Sequence, residues 1–202
     1  MKIFCIGRNY ADHAKEMGSN VPSKPMIFMK PPTALLIHNK PFFYPEFSND
    51  IHYEGEIVLK VAKNGKHIQP EFAEDYIEGI GFGFDFTARD IQQQCKENGH
   101  PWEIAKAFDN SAACSEFLPY SDFKGRAIQF KTLLNGNVVQ DGTTEDLIFN
   151  FPTLITYIST IFTLQKGDYI YTGTPAGVAP IKMGDKLEGM IEGKSLILCE
   201  IK

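Results

Sequence analysis

Short runs rich in Ile, Val, Phe and Tyr recur from one end of the chain to the other, and they restrict its fold more than any other feature. Residues 2–6, 26–29, 56–61, 77–86, 128–134, 138–140, 169–172 and 195–201 each have the composition of a strand. Asn135-Gly136 lies between two of these runs. This pair supplies the two positive-φ residues of a type I′ turn, which predicts a hairpin. Three helices are expected as well. Residues 10–17 follow Asn9, a suitable N-cap, and end before Gly18. Residues 88–98 follow Thr87, whose hydroxyl can cap while Asp90 reaches back, and they stop at Gly99. Residues 152–164 open on a proline and carry Leu154, Ile155, Ile158, Ile161 and Phe162 at helical spacing. Strands and helices do not alternate as a doubly wound sheet requires. The expected fold class is therefore α+β and β-rich, with helices at its margins.

Composition narrows the range of partners. With 202 residues, 43% of them hydrophobic and 12% aromatic, the chain can bury a core as one domain over residues 1–202. No repeat, low-complexity tract or linker divides it. The net charge of −5 argues against a broad hold on nucleic acid or anionic lipid. Cys5, Cys95, Cys114 and Cys199 form no C-x-x-C pair, the first residues are too polar for a signal peptide, and no apolar run approaches a membrane span. These features predict a cytoplasmic protein that acts on small molecules, with no nucleic acid and no membrane among its partners.

Several common chemistries are missing. Gly193-Lys194-Ser195 resembles the end of a phosphate-binding loop, but Glu188 stands where that motif needs its first glycine. Gly79, Gly81 and Gly83 lie inside a strand-like run, without the helix that a dinucleotide fingerprint requires. There is neither an H-E-x-x-H nor a G-x-S-x-G.

The informative acids are Glu54, Glu56 and Asp85. Alternation along a strand puts Glu54 and Glu56 on one face, where both carboxylates can reach one ion, and Gly55 between them allows a bulge or a close approach of another strand. Taken alone, the pair reads first as a solvated strand face, since most glutamates are exposed. Asp85 ends a strongly apolar run, where a carboxylate needs a cation or several donors; capping the next helix or pairing with Arg89 would also satisfy it. Three oxygen ligands would select Mg²⁺ or Mn²⁺ over zinc and leave positions open for substrate. His13 and Glu16 stand at i, i+3, so the glutamate can orient an imidazole suited to proton transfer, although surface pairs share this spacing. Lys106, beyond Trp102, taken alone reads as a surface lysine.

In order, Gly7-Arg8-Asn9-Tyr10 with Asp12-His13 and Glu16-Met17, Lys30-Pro31, Glu54-x-Glu56, Asp85-x-Thr87-Ala88-Arg89-Asp90, Lys106 and Gly173-Thr174-Pro175-x-Gly177-Val178 resemble the fumarylacetoacetate hydrolase family. Within it the chain is most similar to the small acylpyruvase and oxaloacetate decarboxylase group. The resemblance implies a mixed β-sandwich roll of the family's C-terminal-domain type. By the same resemblance, Glu54, Glu56 and Asp85 hold Mg²⁺ or Mn²⁺, and His13 with Glu16 activates water or handles the proton on a helix that closes over substrate. Lys106 stabilises a developing oxyanion or enolate, and Arg89, Gln92 and Thr174 contact the substrate carboxylate. The implied activity is C–C cleavage of 2,4-dioxo acids or decarboxylation of oxaloacetate through the enolate of pyruvate. The alternatives are a diene-dioate isomerase or hydratase, or a silent 2-oxo acid binding protein. A homodimer is also implied. Ala179-Pro180 departs from the pattern, since relatives often carry another glycine after the Gly-Val pair.

Overall fold

The computed structural model describes residues 1–16, 21–37 and 39–202. Its first half contains β1 (Ile3–Ile6), α1 (Ala11–Glu16), β2 (Ile27–Lys30), β3 (Leu35–Leu36), β4 (Ile51–Tyr53), β5 (Gly55–Val61), β6 (Ile77–Asp85), β7 (Thr87–Ala88) and α2 (Arg89–Asn98). It continues with α3 (Glu103–Lys106), β8 (Ala112–Cys114), β9 (Leu118–Pro119), β10 (Gln129–Leu134), β11 (Asn137–Thr143), α4 (Phe151–Ile161), β12 (Tyr169–Tyr171), β13 (Ala179–Pro180), β14 (Lys186–Ile191) and β15 (Lys194–Glu200). An eight-stranded sheet runs β2-β1-β12-β5-β6-β8-β3, with β9 also paired to β6. The β1/β12 and β3/β8 pairs are parallel, so this sheet is mixed. A four-stranded antiparallel sheet, β11-β10-β14-β15, and a three-stranded one, β13-β4-β7, complete the roll.

The core lies between the curled sheets. Phe82 and Phe84 from β6, Ile57 and Leu59 from β5, Phe130 from β10 and Leu187 from β14 are all buried in one cluster, each worth about 1.5–3 kcal/mol of transfer free energy. Packing across the sheets is tight: a Cβ on Gly189 of β14 would lie 2.2 Å from the Phe82 ring.

Local expectations fare unevenly. The predicted hairpin forms, with Asn135 at φ 52 and Gly136 at φ 82, although β11 extends past residue 140 to Thr143. Helix α2 ends on Gly99 in the left-handed region, at φ 67. Its predicted capping box does not form. The Thr87 hydroxyl turns back to the Asp85 carbonyl, 3.3 Å away, and Asp90 accepts from Ser48 Oγ at 2.7 Å and Asn49 N–H at 3.0 Å. Thr87 is held in β7, so its side chain is not free to cap. Asn9 does not cap α1 either. Its amide donates to the carbonyls of Thr172 at 2.8 Å and Phe149 at 3.0 Å, and its oxygen accepts from Phe149 N–H at 2.7 Å. The end of the predicted first helix, Met17 and Gly18, lies outside the described residues. Helix α4 starts one residue before Pro152, capped by Asn150, and stops at Ile161, because Leu164 bridges to Gly65 instead. Strand β14 was not expected: Glu188 and Gly189 dilute its apolar signal.

Candidate active site

Register between β5 and β6 assembles the acids. Glu54 lies just before β5, Glu56 is its second residue and Asp85 ends β6. Gly55 faces Phe84 and Glu56 faces Gly83 across this antiparallel pair, and Asp85 N–H donates to the Glu54 carbonyl at 2.9 Å. All three acids are buried, and each can offer one oxygen such that the three lie within 4.8 Å of one another. Gly55 is required for this approach, since a Cβ there would lie 2.0 Å from Thr132 Oγ1.

Three cations offset the three acids, but unequally. Lys106 Nζ donates to Glu54 Oε2 at 2.6 Å and Asp85 Oδ2 at 2.9 Å, and Arg89 donates to Glu54 Oε1 at 2.7 Å. Lys30 Nζ, fully enclosed, lies 2.8 Å from Asp85 Oδ1. Its hydrogens go elsewhere, to the Lys106 carbonyl, to the Ser111 carbonyl at 2.9 Å and to Ser111 Oγ at 3.0 Å. Asp85 Oδ1 thus has a neighbouring charge and no hydrogen-bond donor. Glu56 accepts the Gly173 N–H at 2.6 Å and has no ion pair among the described residues.

The ionisation of these groups follows that layout. Burial opposes charge on Glu54, but Lys106 and Arg89 outweigh it and hold the carboxyl below the usual range. For Glu56, burial and then the charges of Asp85 and Glu54 all act in one direction and push its carboxyl well up. Lys106 is opposed by burial, yet Asp85 and Glu54 raise its ammonium above the ordinary value. An unpaired lone pair on Asp85, an under-compensated Glu56 and a donor set of hard oxygens together fit a divalent cation. Glu54, Glu56 and Asp85 would hold it.

The predicted dyad stands opposite. His13 on α1 is buried, with Nδ1 3.2 Å from Glu16 Oε2, and the Glu16 carboxylate accepts from Gly177 N–H at 3.2 and 3.3 Å. His13, Glu54, Arg89, Gln92 and Lys106 line one pocket of about 20 Å³ closed by Trp102. That volume holds about one water. Gln92 Oε1 accepts from the Arg89 guanidinium at 2.8 Å. Thr174 does not line this pocket: its hydroxyl donates to the Gly55 carbonyl at 2.9 Å and accepts from Gln140 Nε2 at 2.8 Å. It ties the loop after β12 to the Gly55 backbone, between Glu54 and Glu56.

Two residues of this assembly were given no role from the sequence. Lys30 had a legible signal, because a cation ending an apolar run needs a buried partner just as Asp85 does. Gln140 had none. Its amide joins Gly55 N–H at 3.0 Å, Thr132, Thr174 and the Pro175 carbonyl, contacts that only the packing of β11 over β5 creates.

A curled mixed sheet with three buried carboxylates that can hold a cation, a buried lysine beside them and a histidine dyad has the make-up of a metal-dependent enzyme. The chain belongs to the fumarylacetoacetate hydrolase family: residues 2–201 match the family described as Fumarylacetoacetate (FAA) hydrolase C-terminal. It is 43% identical to the mitochondrial oxaloacetate tautomerase FAHD1 of Mus musculus, over 95% of this chain and 87% of that protein. It is also 43% identical to the oxaloacetate tautomerase YcgM of Escherichia coli, over 96% and 90%. Among solved structures, the fumarylpyruvate hydrolase of Pseudomonas aeruginosa in complex with Mn²⁺ and pyruvate superposes with a TM-score of 0.94 at 34% identity, covering 100% of this chain and 89% of that one. The 2-hydroxyhepta-2,4-diene-1,7-dioate isomerase of Mycobacterium marinum gives 0.86 at 33% identity, covering 99% and 73%.

Proposed function

We propose that this enzyme performs enolate chemistry on short 2-oxo acids: keto–enol interconversion of oxaloacetate, with decarboxylation of oxaloacetate or C–C cleavage of 2,4-dioxo acids through the same enolate. The observation that carries the reading is that His13 of the dyad, the buried Lys106 and Glu54 of the acid cluster line one pocket. The oxaloacetate tautomerases at 43% identity support the first reaction. The fumarylpyruvate hydrolase structure with Mn²⁺ and pyruvate supports the cleavage reaction.

Bound at Glu54, Glu56 and Asp85, Mg²⁺ or Mn²⁺ supplies Lewis-acid polarisation of the 2-oxo group. Arg89 and Gln92 orient the carboxylate beside that group. With Glu16 holding the Nδ1 proton, His13 keeps Nε2 free as a base that removes a proton from the carbon next to the keto group and returns it to oxygen or carbon. In hydrolysis the same nitrogen takes a proton from the attacking water. The Lys106 ammonium offsets the negative charge that develops on the enolate oxygen. Thr174 and Gln140 hold the Gly55 backbone that keeps the acids converged. The pocket, about 20 Å³, is smaller than a 2-oxo acid, so binding enlarges it.

The reading includes a cytoplasmic homodimer. It is supported by four buried free cysteines and by an apolar groove around Pro31, Pro32, Phe47 and Ile104. No helix among the described residues is long and apolar enough to cross a membrane. Sedimentation at micromolar concentration gives twice the chain mass if the dimer forms.

Proton NMR of the purified protein with oxaloacetate and with acetylpyruvate, each with Mg²⁺ and again with chelator, tests the activity. Metal-dependent acceleration of enol-to-keto conversion, or of pyruvate release above the uncatalysed background, is the expected result. Neither acceleration in the presence of bound metal would leave a binding protein.

A further inference from the structure

One buried amide touches both halves of the site. Gln140 of β11 is 2% exposed, and a bulge puts it there: Thr132 pairs with Gln140 but Leu133 pairs with Val138, so Val139 is the extra residue of β11. Oε1 accepts from Gly55 N–H at 3.0 Å and from Thr132 Oγ1 at 2.9 Å, and Nε2 donates to Thr174 Oγ1 at 2.8 Å and to the Pro175 carbonyl at 3.0 Å. Every hydrogen-bonding position of the amide is used. With oxygen and nitrogen exchanged, it would turn a donor to the Gly55 N–H and an acceptor to the Pro175 carbonyl, so one orientation alone is satisfied.

The partners on its two sides lead to different parts of the chemistry. Gly55 separates Glu54 from Glu56, and its carbonyl accepts from the Thr174 hydroxyl at 2.9 Å. Pro175 belongs to the loop of residues 173–177. The first residue of that loop donates its N–H to Glu56 at 2.6 Å, and the last donates to the Glu16 carboxylate at 3.2 and 3.3 Å. Gly177 has φ 99, and a Cβ there would lie 2.2 Å from the Val139 carbonyl and 3.3 Å from Gln140 Cγ. The end of the loop that holds Glu16 therefore rests on the bulge itself. We propose that Gln140 is a positioning residue that sets the acids and the dyad in one register. Through Gly55 it fixes the spacing of Glu54 and Glu56 around the cation, and through the loop it fixes the N–H that aims Glu16 at His13. Gln140 lines no part of the pocket and is not itself catalytic. The proposal rests on the functional reading above, which supplies the cation and the role of the dyad.

Calorimetric titration of chelator-treated protein with Mn²⁺ reads the acid side. Gln140→Met nearly keeps the length of the side chain and removes its hydrogen bonds; it should weaken Mn²⁺ binding about tenfold, the usual cost of losing a group that orients metal ligands. Turnover of oxaloacetate at saturating Mn²⁺ reads the dyad side. Gln140→Met should lower kcat about tenfold, and adding Glu16→Gln should lower it little further, because both changes remove the same control of His13. Thr174→Val breaks one link of the chain and keeps the β-branched shape. It should weaken Mn²⁺ by about threefold, the scale of one hydrogen bond, and carries the test where Gln140→Met does not fold. Wild-type Mn²⁺ affinity in both variants, with only the urea midpoint lowered, makes Gln140 a packing residue and overturns the proposal. Full additivity with Glu16→Gln in kcat overturns its reach to the dyad, and in both cases the functional reading stands. Wild-type protein that binds no Mn²⁺ overturns that reading and the proposal together.

Discussion

The two sides of the pocket are built differently. The acid side rests on β5 and β6, in the middle of the large sheet, and every charged group there has a short contact to a strand or to an opposite charge. The dyad side rests on α1, a helix of six residues whose Glu16 is 36% exposed and reaches the rest of the protein through contacts of 3.2 and 3.3 Å to Gly177. Preorganisation is placed where charge must be held out of water, and the dyad side carries the weaker attachment. Buried carboxylates cannot be assembled on demand, because moving each one from water costs several kcal/mol unless its partners are already in position. The Glu16 contact is a single Gly177 N–H shared between two carboxylate oxygens, a weaker hold than the ion pairs of the acid side.

That contrast can be broken from either side. Glu56→Gln keeps the shape and removes a ligand. Turnover should fall by about ten-thousandfold, the several kcal/mol that Lewis-acid stabilisation supplies, and wild-type activity in this variant would sink the metal assignment. The same substitution should raise the melting temperature of chelator-treated protein at pH 7. A carboxyl whose folded pKa lies above its unfolded one contributes most below the unfolded value, about 4.3, and loses that contribution as pH rises through the folded value. A neutral amide does not titrate.

His13→Ala should lower kcat by about a thousandfold, within the usual contribution of one acid–base group, while the denaturation midpoint stays that of the wild type. Coupled loss of stability would show that α1 is part of the rigid core. Lys30→Met tests the acid side through stability. Withdrawing one partner from a buried ion pair should cost about 3 kcal/mol in urea unfolding, because Asp85 keeps only Lys106. Glu16→Gln should cost about tenfold in kcat, since the amide can still accept from Gly177 but no longer stabilises a charged imidazole. Lys15→Ala removes only the exposed pair with Asp12 and should change stability by less than about 0.5 kcal/mol.

Much of the site could be read from side-chain types in order, because burying an acid or a base is costly enough to be visible as an anomaly. Asp85 at the end of an apolar run announced a partner, although the partners are Lys30 and Lys106 and not Arg89. Arg89 pairs with Glu54 instead. Thr174 was expected at the substrate carboxylate, and a hydroxyl in a glycine-rich loop looks the same in sequence whether it faces a ligand or a carbonyl; here both its bonds go to protein. Asn9, Thr87 and Asp90 show the same limit on the backbone. Each has a capping side chain, and each finds a stronger partner far along the sequence or across a bend.

By itself the sequence determined what depends on neighbours along the chain: the β-rich character, the type I′ turn at Asn135-Gly136, the stop at Gly99 and the identity of the acids that must be compensated. Torsion preferences and desolvation costs belong to single residues and their immediate context, so they survive without a fold. Tertiary structure alone decided which opposite charge meets which. The contact between Lys30 and the Lys106 carbonyl spans 76 residues, and the Gly173 N–H reaches Glu56 across 117. Such pairings depend on strand register and sheet curvature, where a shift of one residue would turn every side chain to the opposite face.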